Sequence, residues 1–150
     1  MISEKPAPHS IKQGESDLAP CRPLLIALAL SACTDAHKAR VIDPDTLDVG
    51  LDQNLRIVDM DGPEKGWRAK CDAERELESL GTAFAQELLD NAKRGRPILS
   101  NPPRRDSYGR YLGDYEIDGR LYSDIMESAG YLREWRYDEC GAKCRPVWCE

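Results

Sequence analysis

The sequence has no net positive charge, and this lack excludes one broad class of function. Its 150 residues include 27 acidic and 21 basic side chains, a formal net charge of −6. Proteins that coat nucleic acid bind phosphates through a basic surface that releases counterions. Residues 1–32 carry equal numbers of acidic and basic side chains, so their removal would leave the same charge. Any contact with nucleic acid must therefore be local, and acidic residues would assist it only by binding a divalent cation.

Long hydrophobic runs are also lacking. The longest, residues 24–32, follows Arg22 and Pro23 and is shorter than the roughly 20 residues that span a bilayer. It has the length of a signal-peptide core, and its end, Leu30-Ser31-Ala32-Cys33, resembles the lipobox of bacterial lipoproteins. That resemblance implies cleavage before Cys33 and a diacylglyceryl group on its thiol. The alternative is a short buried strand or helix that ends in cysteine.

Hydrophobic spacing predicts three strands, a long helix, two more strands and a short helix. Residues 40–49 are expected to form a strand, a turn and a strand, and residues 55–60 a third strand. Leucines and other apolar residues recur every three or four positions from residue 72 to about residue 92, which is typical of an amphipathic helix. Strands are expected at 97–100 and 111–117, with a loop at 101–107. A helix is expected at 121–129, with Leu121, Ile125 and Ala129 on one face. This order suits a small barrel.

Three short clusters contain residues suited to phosphodiester chemistry, at positions 43–46, 56–64 and 105–110. Asp45, Asp61 and the carbonyl of Gly62 are oxygen ligands of the kind that calcium binds. Glu64 could orient or deprotonate water beside that metal. Guanidinium groups neutralise the charge of a phosphate, and this role suits Arg56 and Arg110. Any one cluster alone is more typical of a turn or a solvated loop.

Taken together, the clusters resemble the staphylococcal nuclease (thermonuclease) family in order and separation. That family has an Ile-Asp-Gly-Asp-Thr turn, an Arg-to-Asp-x-Pro-Glu segment and a Tyr-Gly-Arg loop, and the resemblance covers about residues 41–135. It implies an α+β, mainly β fold, an OB-type five-stranded barrel with packed helices. It also implies calcium-dependent cleavage of DNA and RNA that leaves 3′-phosphate ends.

The resemblance assigns a role to each matching position. Two residues differ from the pattern of the best-known member: Pro44 replaces the turn glycine, and Gly62 replaces a threonine but keeps the carbonyl. The implied roles are metal binding by Asp45, Asp61 and Gly62, catalysis by Arg56, Glu64 and Arg110, and substrate contact by Tyr108 and Thr46.

The four cysteines beyond Cys33 favour two disulfides, as expected of an exported protein in an oxidising compartment. They are Cys71, Cys140, Cys144 and Cys149, and sequence alone leaves three pairings open. Cys71, at the helix start, is expected to reach the carboxy-terminal cysteines. A zinc site is the alternative, but the spacings differ from zinc knuckles.

The expected organisation is a disordered leader and signal peptide at 1–32, a tether at 33–40, a nuclease-like domain at 41–137 and a cysteine-containing tail at 138–150. The expected function is a calcium-dependent nuclease in the bacterial cell envelope, monomeric and tethered to a membrane by the lipid on Cys33, with nucleic acid as its substrate. The alternative is an OB-type binding or scaffold lipoprotein that is catalytically weak or inactive.

Overall fold

A computed structural model describes residues 38–149, so the signal sequence and Cys33 lie outside the described residues. This part of the chain contains eight strands and three α-helices. The helices are α1 (Asp72–Asn91), α2 (Tyr122–Ser128) and α3 (Tyr137–Cys140). The strands are β1 (Arg40–Asp43), β2 (Thr46–Asp48), β3 (Leu55–Ile57), β4 (Met60–Asp61), β5 (Gly95–Arg105), β6 (Tyr111–Ile117), β7 (Arg120–Leu121) and β8 (Arg133–Glu134). None of the helices within 38–149 is long and apolar enough to cross a membrane.

The main sheet has the strand order β1-β2-β3-β6-β5, with β7 added beside β6. Its neighbours are antiparallel except β3 and β6, which are parallel. Strands β4 and β8 form a separate antiparallel pair. Within residues 38–149, β1 and β5 are the two ends of the sheet and do not pair, so no closed barrel is found. The α+β class is therefore confirmed, as a sheet covered by helices.

The turn between β1 and β2 is held by the rest of the fold. Proline fixes its own φ, which favours a tight turn at Pro44. The buried Tyr122 hydroxyl donates a hydrogen bond to the Pro44 carbonyl at 2.8 Å, and the amide of Ile57 donates to the carbonyl of Asp45 at 2.9 Å. Leu47 and Leu55, paired across β2 and β3, are fully buried beneath this turn. The turn is thus a rigid part of the sheet edge.

Two predicted strand boundaries are wrong. The expected third strand is two strands, β3 and β4, because Asp59 has a φ of 55° and turns the chain between them. The expected loop at 101–107 is mostly strand, because β5 continues to Arg105. Its register against β6 shifts between Leu99 and Arg104. Such a bulge removes ladder hydrogen bonds locally, so Pro102 and Pro103 are tolerated there.

Helix α1 was predicted well in extent but only partly in its buried face. Its buried residues are Glu74, Gly81, Ala85 and Leu89, whereas Leu80 is exposed. Small residues are needed because α1 packs closely on its neighbours: a Cβ on Gly81 would lie 3.1 Å from Tyr131 and 3.2 Å from Pro44.

The buried face of helix α2 also differs from the predicted one. Tyr122 and Met126 are fully buried and take the place expected for Leu121, Ile125 and Ala129. Tyr122 points inward because its ring fills the core while its hydroxyl reaches a backbone carbonyl.

Two disulfides form, as predicted: Cys71 with Cys149 and Cys140 with Cys144. The first joins Cys71, the residue that precedes α1, to Cys149, which is 78 positions further along the chain. It attaches the later part of the expected tail to the body of the fold. Residues 138–140 of that tail belong to α3, so the name carboxy-terminal tail is used below for residues 141–149, in which Trp148 is buried.

Candidate functional site

Asp45 is the centre of a group of contacts at the β1–β2 turn. Its Oδ2 accepts a hydrogen bond from the Gly62 amide at 3.0 Å and lies 3.1 Å from Arg56 Nη2, while its Oδ1 accepts from the Thr46 hydroxyl at 2.9 Å. Burial alone would raise the pKa of Asp45, but Arg56 and the hydrogen bonds lower it overall. Asp45 is therefore held as a carboxylate although its side chain is only 17% exposed.

Arg56 is fixed by the turn between β3 and β4. Besides facing Asp45, its guanidinium donates to the carbonyls of Ile57 and Met60, both at 2.6 Å. Only 13% of its side chain is exposed. Arg56 therefore holds Asp45 and the chain that leads to Asp61 in fixed positions, and it brings a positive charge to the site.

Arg110 reaches the same place from the loop before β6. Its Nη1 donates to the Thr46 hydroxyl at 3.2 Å, and its Nε donates to Asp106 Oδ2 at 2.7 Å. Asp106 also accepts from the amides of Tyr108 and Arg110, and Gly109 takes the positive φ of 83° that the turn requires. The Arg110 side chain remains 28% exposed, so it is accessible to a ligand in solvent.

Tyr108 lies beside Arg110 on the surface of this loop. Its side chain is 82% exposed, and its ring centre is 5.5 Å from the guanidinium carbon of Arg110. An exposed tyrosine next to an arginine suits contact with a phosphate or a base. The structure thus places Tyr108, Arg110, Thr46, Asp45, Arg56 and Gly62 in one continuous set of contacts.

Asp61 and Glu64 are joined through a residue of the tail. Arg145 Nε lies 3.1 Å from Asp61 Oδ1, and Arg145 Nη2 lies 2.7 Å from Glu64 Oε1. The other Asp61 oxygen accepts a hydrogen bond from Trp148 Nε1 at 2.9 Å. Asp61 is only 1% exposed, and burial raises its pKa even though Trp148 and Arg145 oppose the rise. Asp61 precedes Gly62, whose amide donates to Asp45, and the nearby charge of Asp45 also contributes to the raised pKa of Asp61.

Glu74 orders the segment that carries Glu64. This buried carboxylate accepts from the Glu64 amide at 3.1 Å and from the Lys70 amide at 2.7 Å. Its position in the first turn of α1 is favourable because a helix start attracts negative charge. The sequence pattern gave no reason to single out Glu74.

Asp43 is a further acidic residue of the site, quoted in the sequence motif but given no role there. Its Oδ1 is buried and has no hydrogen-bond partner among residues 38–149, and its Oδ2 lies 3.8 Å from Lys65 Nζ. Burial, and next the neighbouring Asp45, raise the pKa of Asp43 to about 6. A buried carboxylate oxygen without a partner beside a second carboxylate is the arrangement that a proton or a cation would satisfy.

Three carboxylates of this region, those of Asp43, Asp45 and Asp61, are donors of the kind that a hard divalent cation binds, and one oxygen of Asp43 has no hydrogen-bond partner. Within residues 38–149 these three do not bring ligand atoms within 4.8 Å of one another. Calcium binds such oxygen sets, whereas zinc prefers sulfur and nitrogen. Cys71, Glu74 and Cys149 do place ligand atoms within 4.8 Å of one another, but the two sulfurs are bonded to each other.

The raised pKa of Asp43 predicts a pH-dependent gain in stability for Asp43→Asn. The Asp43 carboxyl holds its proton more tightly in the folded protein than in the unfolded chain. The stability that protonated Asp43 contributes is therefore fully present below about pH 4 and is lost as the pH rises through about 6. In calcium-free buffer near pH 8, the free energy of unfolding of the variant should be about 1 to 3 kcal/mol higher than that of wild type. Urea denaturation with a chelator measures this difference, which should vanish near pH 4. An equal difference at both pH values would contradict the assignment.

Two residues of the site, Arg145 and Trp148, were missed by sequence reasoning. Both lie in a segment that was expected to be a separate cysteine-containing tail. The one available signal was Cys149, because a disulfide from Cys149 to Cys71 carries residues 145–148 back to the start of α1.

No protein-family model matches the chain, and no curated protein matches it. The function of the protein is therefore inferred from the residues of the site.

Proposed function

We propose that the protein is a calcium-dependent phosphodiesterase that hydrolyses DNA, RNA or both and leaves 3′-phosphate ends, as in the staphylococcal nuclease family. The observation that carries this proposal is the set of contacts around Asp45. This carboxylate faces Arg56 and bonds Thr46, which in turn accepts from Arg110. A paired set of carboxylates and guanidinium groups is what metal-assisted cleavage of a phosphodiester requires.

Asp45, Asp61 and the Gly62 carbonyl would hold the calcium ion, with Asp43 next to them. When bound, calcium supplies positive charge that polarises the phosphate and stabilises the charge that develops as the bond breaks. The strong internal contacts of Asp45 give its carboxylate a fixed position before any ligand arrives. Such preorganisation reduces the cost of assembling the site.

Glu64 and the two arginines have different roles in the reaction. Glu64 takes a proton from water, and the water oxygen forms a bond to phosphorus. Arg110, accessible from solvent, donates to the phosphate oxygens and assists the 5′ oxygen as it leaves. Arg56 is largely buried, and its guanidinium adds a positive charge beside Asp45. Tyr108 contacts a substrate phosphate, for which its exposure is suited.

The proposal includes an OB-type scaffold, export, attachment to a membrane through Cys33, and a monomeric state. The order of the five main strands, with β3 parallel to β6, supports such a scaffold, because OB folds are five-stranded and only partly closed. The two disulfides favour an oxidising compartment.

The direct test is release of acid-soluble nucleotides from DNA and RNA by the full chain in non-ionic detergent. We expect activity with calcium and none with a chelator. Asp45→Ala and Asp61→Ala should weaken calcium binding, so part of their lost activity should return when calcium is raised. Asp90→Ala is a matched control, because Asp90 pairs with Lys38 on the exposed side of α1.

A non-catalytic binding or scaffold protein is the second candidate. It is favoured by the nearly complete burial of Asp61 and by the internal partners that occupy both of its oxygens. Wild-type protein that binds oligonucleotides but hydrolyses none at any calcium concentration would support this candidate and contradict the nuclease.

A further inference from the structure

The carboxy-terminal tail covers the acidic side of the site. Arg145 places one guanidinium between two carboxylates, with Nη2 lying 3.0 Å from Asp61 Oδ1 and 2.7 Å from Glu64 Oε1. Trp148 closes over the other oxygen of Asp61. Both Asp61 and Glu64 have proposed roles that require contact with a metal ion or with water, and in this arrangement the tail makes those contacts instead.

The charge of Arg145 is well matched to this position. Burial disfavours the charged guanidinium, but the hydrogen bonds to Glu64 and Asp61 raise its pKa, so it stays protonated. Arg145 is also 5.2 Å from the ring of Trp135, which adds a cation–π contact. Removal of this charge would leave Asp61 as a buried and poorly compensated carboxylate.

The tail is anchored at two points that follow Arg145 in the chain. Its end is joined to Cys71 by the disulfide at Cys149. Nearer Arg145, the Val147 carbonyl accepts a hydrogen bond from Arg133, whose guanidinium also lies 4.3 Å from the ring of Trp148. The tail therefore has a defined docked position, and the disulfide at Cys149 keeps its end attached to the body of the fold.

We propose that the tail is an intramolecular competitor of calcium: Arg145 neutralises Asp61 and Glu64 until calcium displaces it. This rests on the proposed function, because it takes Asp61 as a calcium ligand. Calcium at Asp61 would place a double positive charge beside the Arg145 guanidinium, at oxygens that Arg145 and Trp148 now contact, so the docked tail and bound calcium disfavour each other. By linkage, the tail lowers the apparent affinity for calcium, and bound calcium lowers the equilibrium constant for docking of the tail by the same factor.

The matched variant is Arg145→Gln, which keeps much of the side-chain length but removes the charge. If the tail is docked in about nine molecules of ten, this variant should bind calcium about tenfold more tightly than wild type. Arg145→Lys keeps the charge and should remain close to wild type. Arg136→Gln removes a guanidinium that pairs with Glu134 and Glu139 on the surface, and it should leave calcium binding unchanged.

The experiment is calorimetric titration of the full chain with calcium chloride, repeated with Asp45→Ala to show that the titrated site is this one. Tail release is measured separately by tryptophan fluorescence. Calcium should change the emission of wild type, and most of that change should be absent in Trp148→Phe. This second measurement needs no change to Arg145, so it remains decisive if Arg145→Gln does not fold.

The outcomes separate the two proposals. Tighter calcium binding by Arg145→Gln, or a calcium response that depends on Trp148, supports competition by the tail. Equal calcium affinity in wild type and a folded Arg145→Gln would contradict competition by the tail but not the calcium site. Calcium binding by wild type without a fluorescence response from Trp148 would have the same meaning. If neither wild type nor Arg145→Gln binds calcium, the proposed calcium-dependent function itself is contradicted.

Discussion

Arg110→Ala is expected to lower calcium-dependent digestion of DNA by about a hundredfold to a thousandfold, because loss of one preorganised donor to a developing oxyanion costs about 2.7 to 4 kcal/mol. Arg110 suits this role since it is partly exposed and lies one hydrogen bond from Thr46, the neighbour of Asp45. The loss should fall on turnover at saturating calcium, because Arg110 is not a metal ligand. Initial rates of nucleotide release across a range of DNA concentrations measure it.

Two variants separate this role of Arg110 from simple support of the loop. Asp106→Asn weakens the partner that holds Arg110 and should reduce activity much less than Arg110→Ala. Arg40→Ala removes an arginine that pairs with Asp48 at the opposite end of the β1–β2 hairpin, and it should be as active as wild type.

Glu64→Gln should lower turnover more than calcium affinity, because it removes the proposed base and keeps the shape of the side chain. Wild-type turnover in both Arg110→Ala and Glu64→Gln would rule out the enzymatic mechanism.

Loss of the disulfide between Cys71 and Cys149 should lower the free energy of unfolding by about 4 kcal/mol. The two cysteines are 78 positions apart, so the bond removes much of the conformational freedom of the unfolded chain. The double variant Cys71→Ser/Cys149→Ser should also loosen the tail, in which Trp148 is buried. Urea denaturation followed by circular dichroism gives the free energy.

The second disulfide provides a matched control within the same chain. Cys140 and Cys144 are only four positions apart, and the same loop-closure estimate assigns their bond about 2 kcal/mol. Cys140→Ser/Cys144→Ser should therefore cost roughly half as much stability. Equal losses for the two double variants would show that the length of the closed loop does not determine the effect.

Much of the local structure was predictable from the sequence. The hairpin at 40–49 and the length of α1 depend on neighbouring residues, namely a proline turn and a regular spacing of apolar side chains. The buried faces of the helices were predicted less well. Gly81 is buried and Leu80 is exposed, because α1 packs so closely on Tyr131 and Pro44 that even a Cβ at position 81 would be a tight contact. Hydrophobicity alone carries no such information.

The strand errors have a similar cause. Pro102 and Pro103 are typical of a loop, yet β5 continues past them because β6 offers partners for Arg104 and Arg105 after a shift of register. Asp59 would fit the interior of a strand by spacing, but it turns the chain between β3 and β4. At Pro102 and Pro103, pairing with a distant strand outweighs the preference of the local residues, whereas Asp59 belongs to a residue type that tolerates a positive φ and favours turns.

The sequence by itself determined the local elements, the need for cross-links among the later cysteines, and the types of residue available for chemistry, because each of these depends on residues close in the chain or on composition. Only the tertiary structure decided which cysteines pair, that Asp43 has an unpartnered buried oxygen, and that Arg145 covers Asp61 from 84 positions away. Such contacts depend on how the tail returns to the sheet. They require the burial and charge balance of the whole fold, in which a buried carboxylate must find a cation or a donor wherever the chain supplies one.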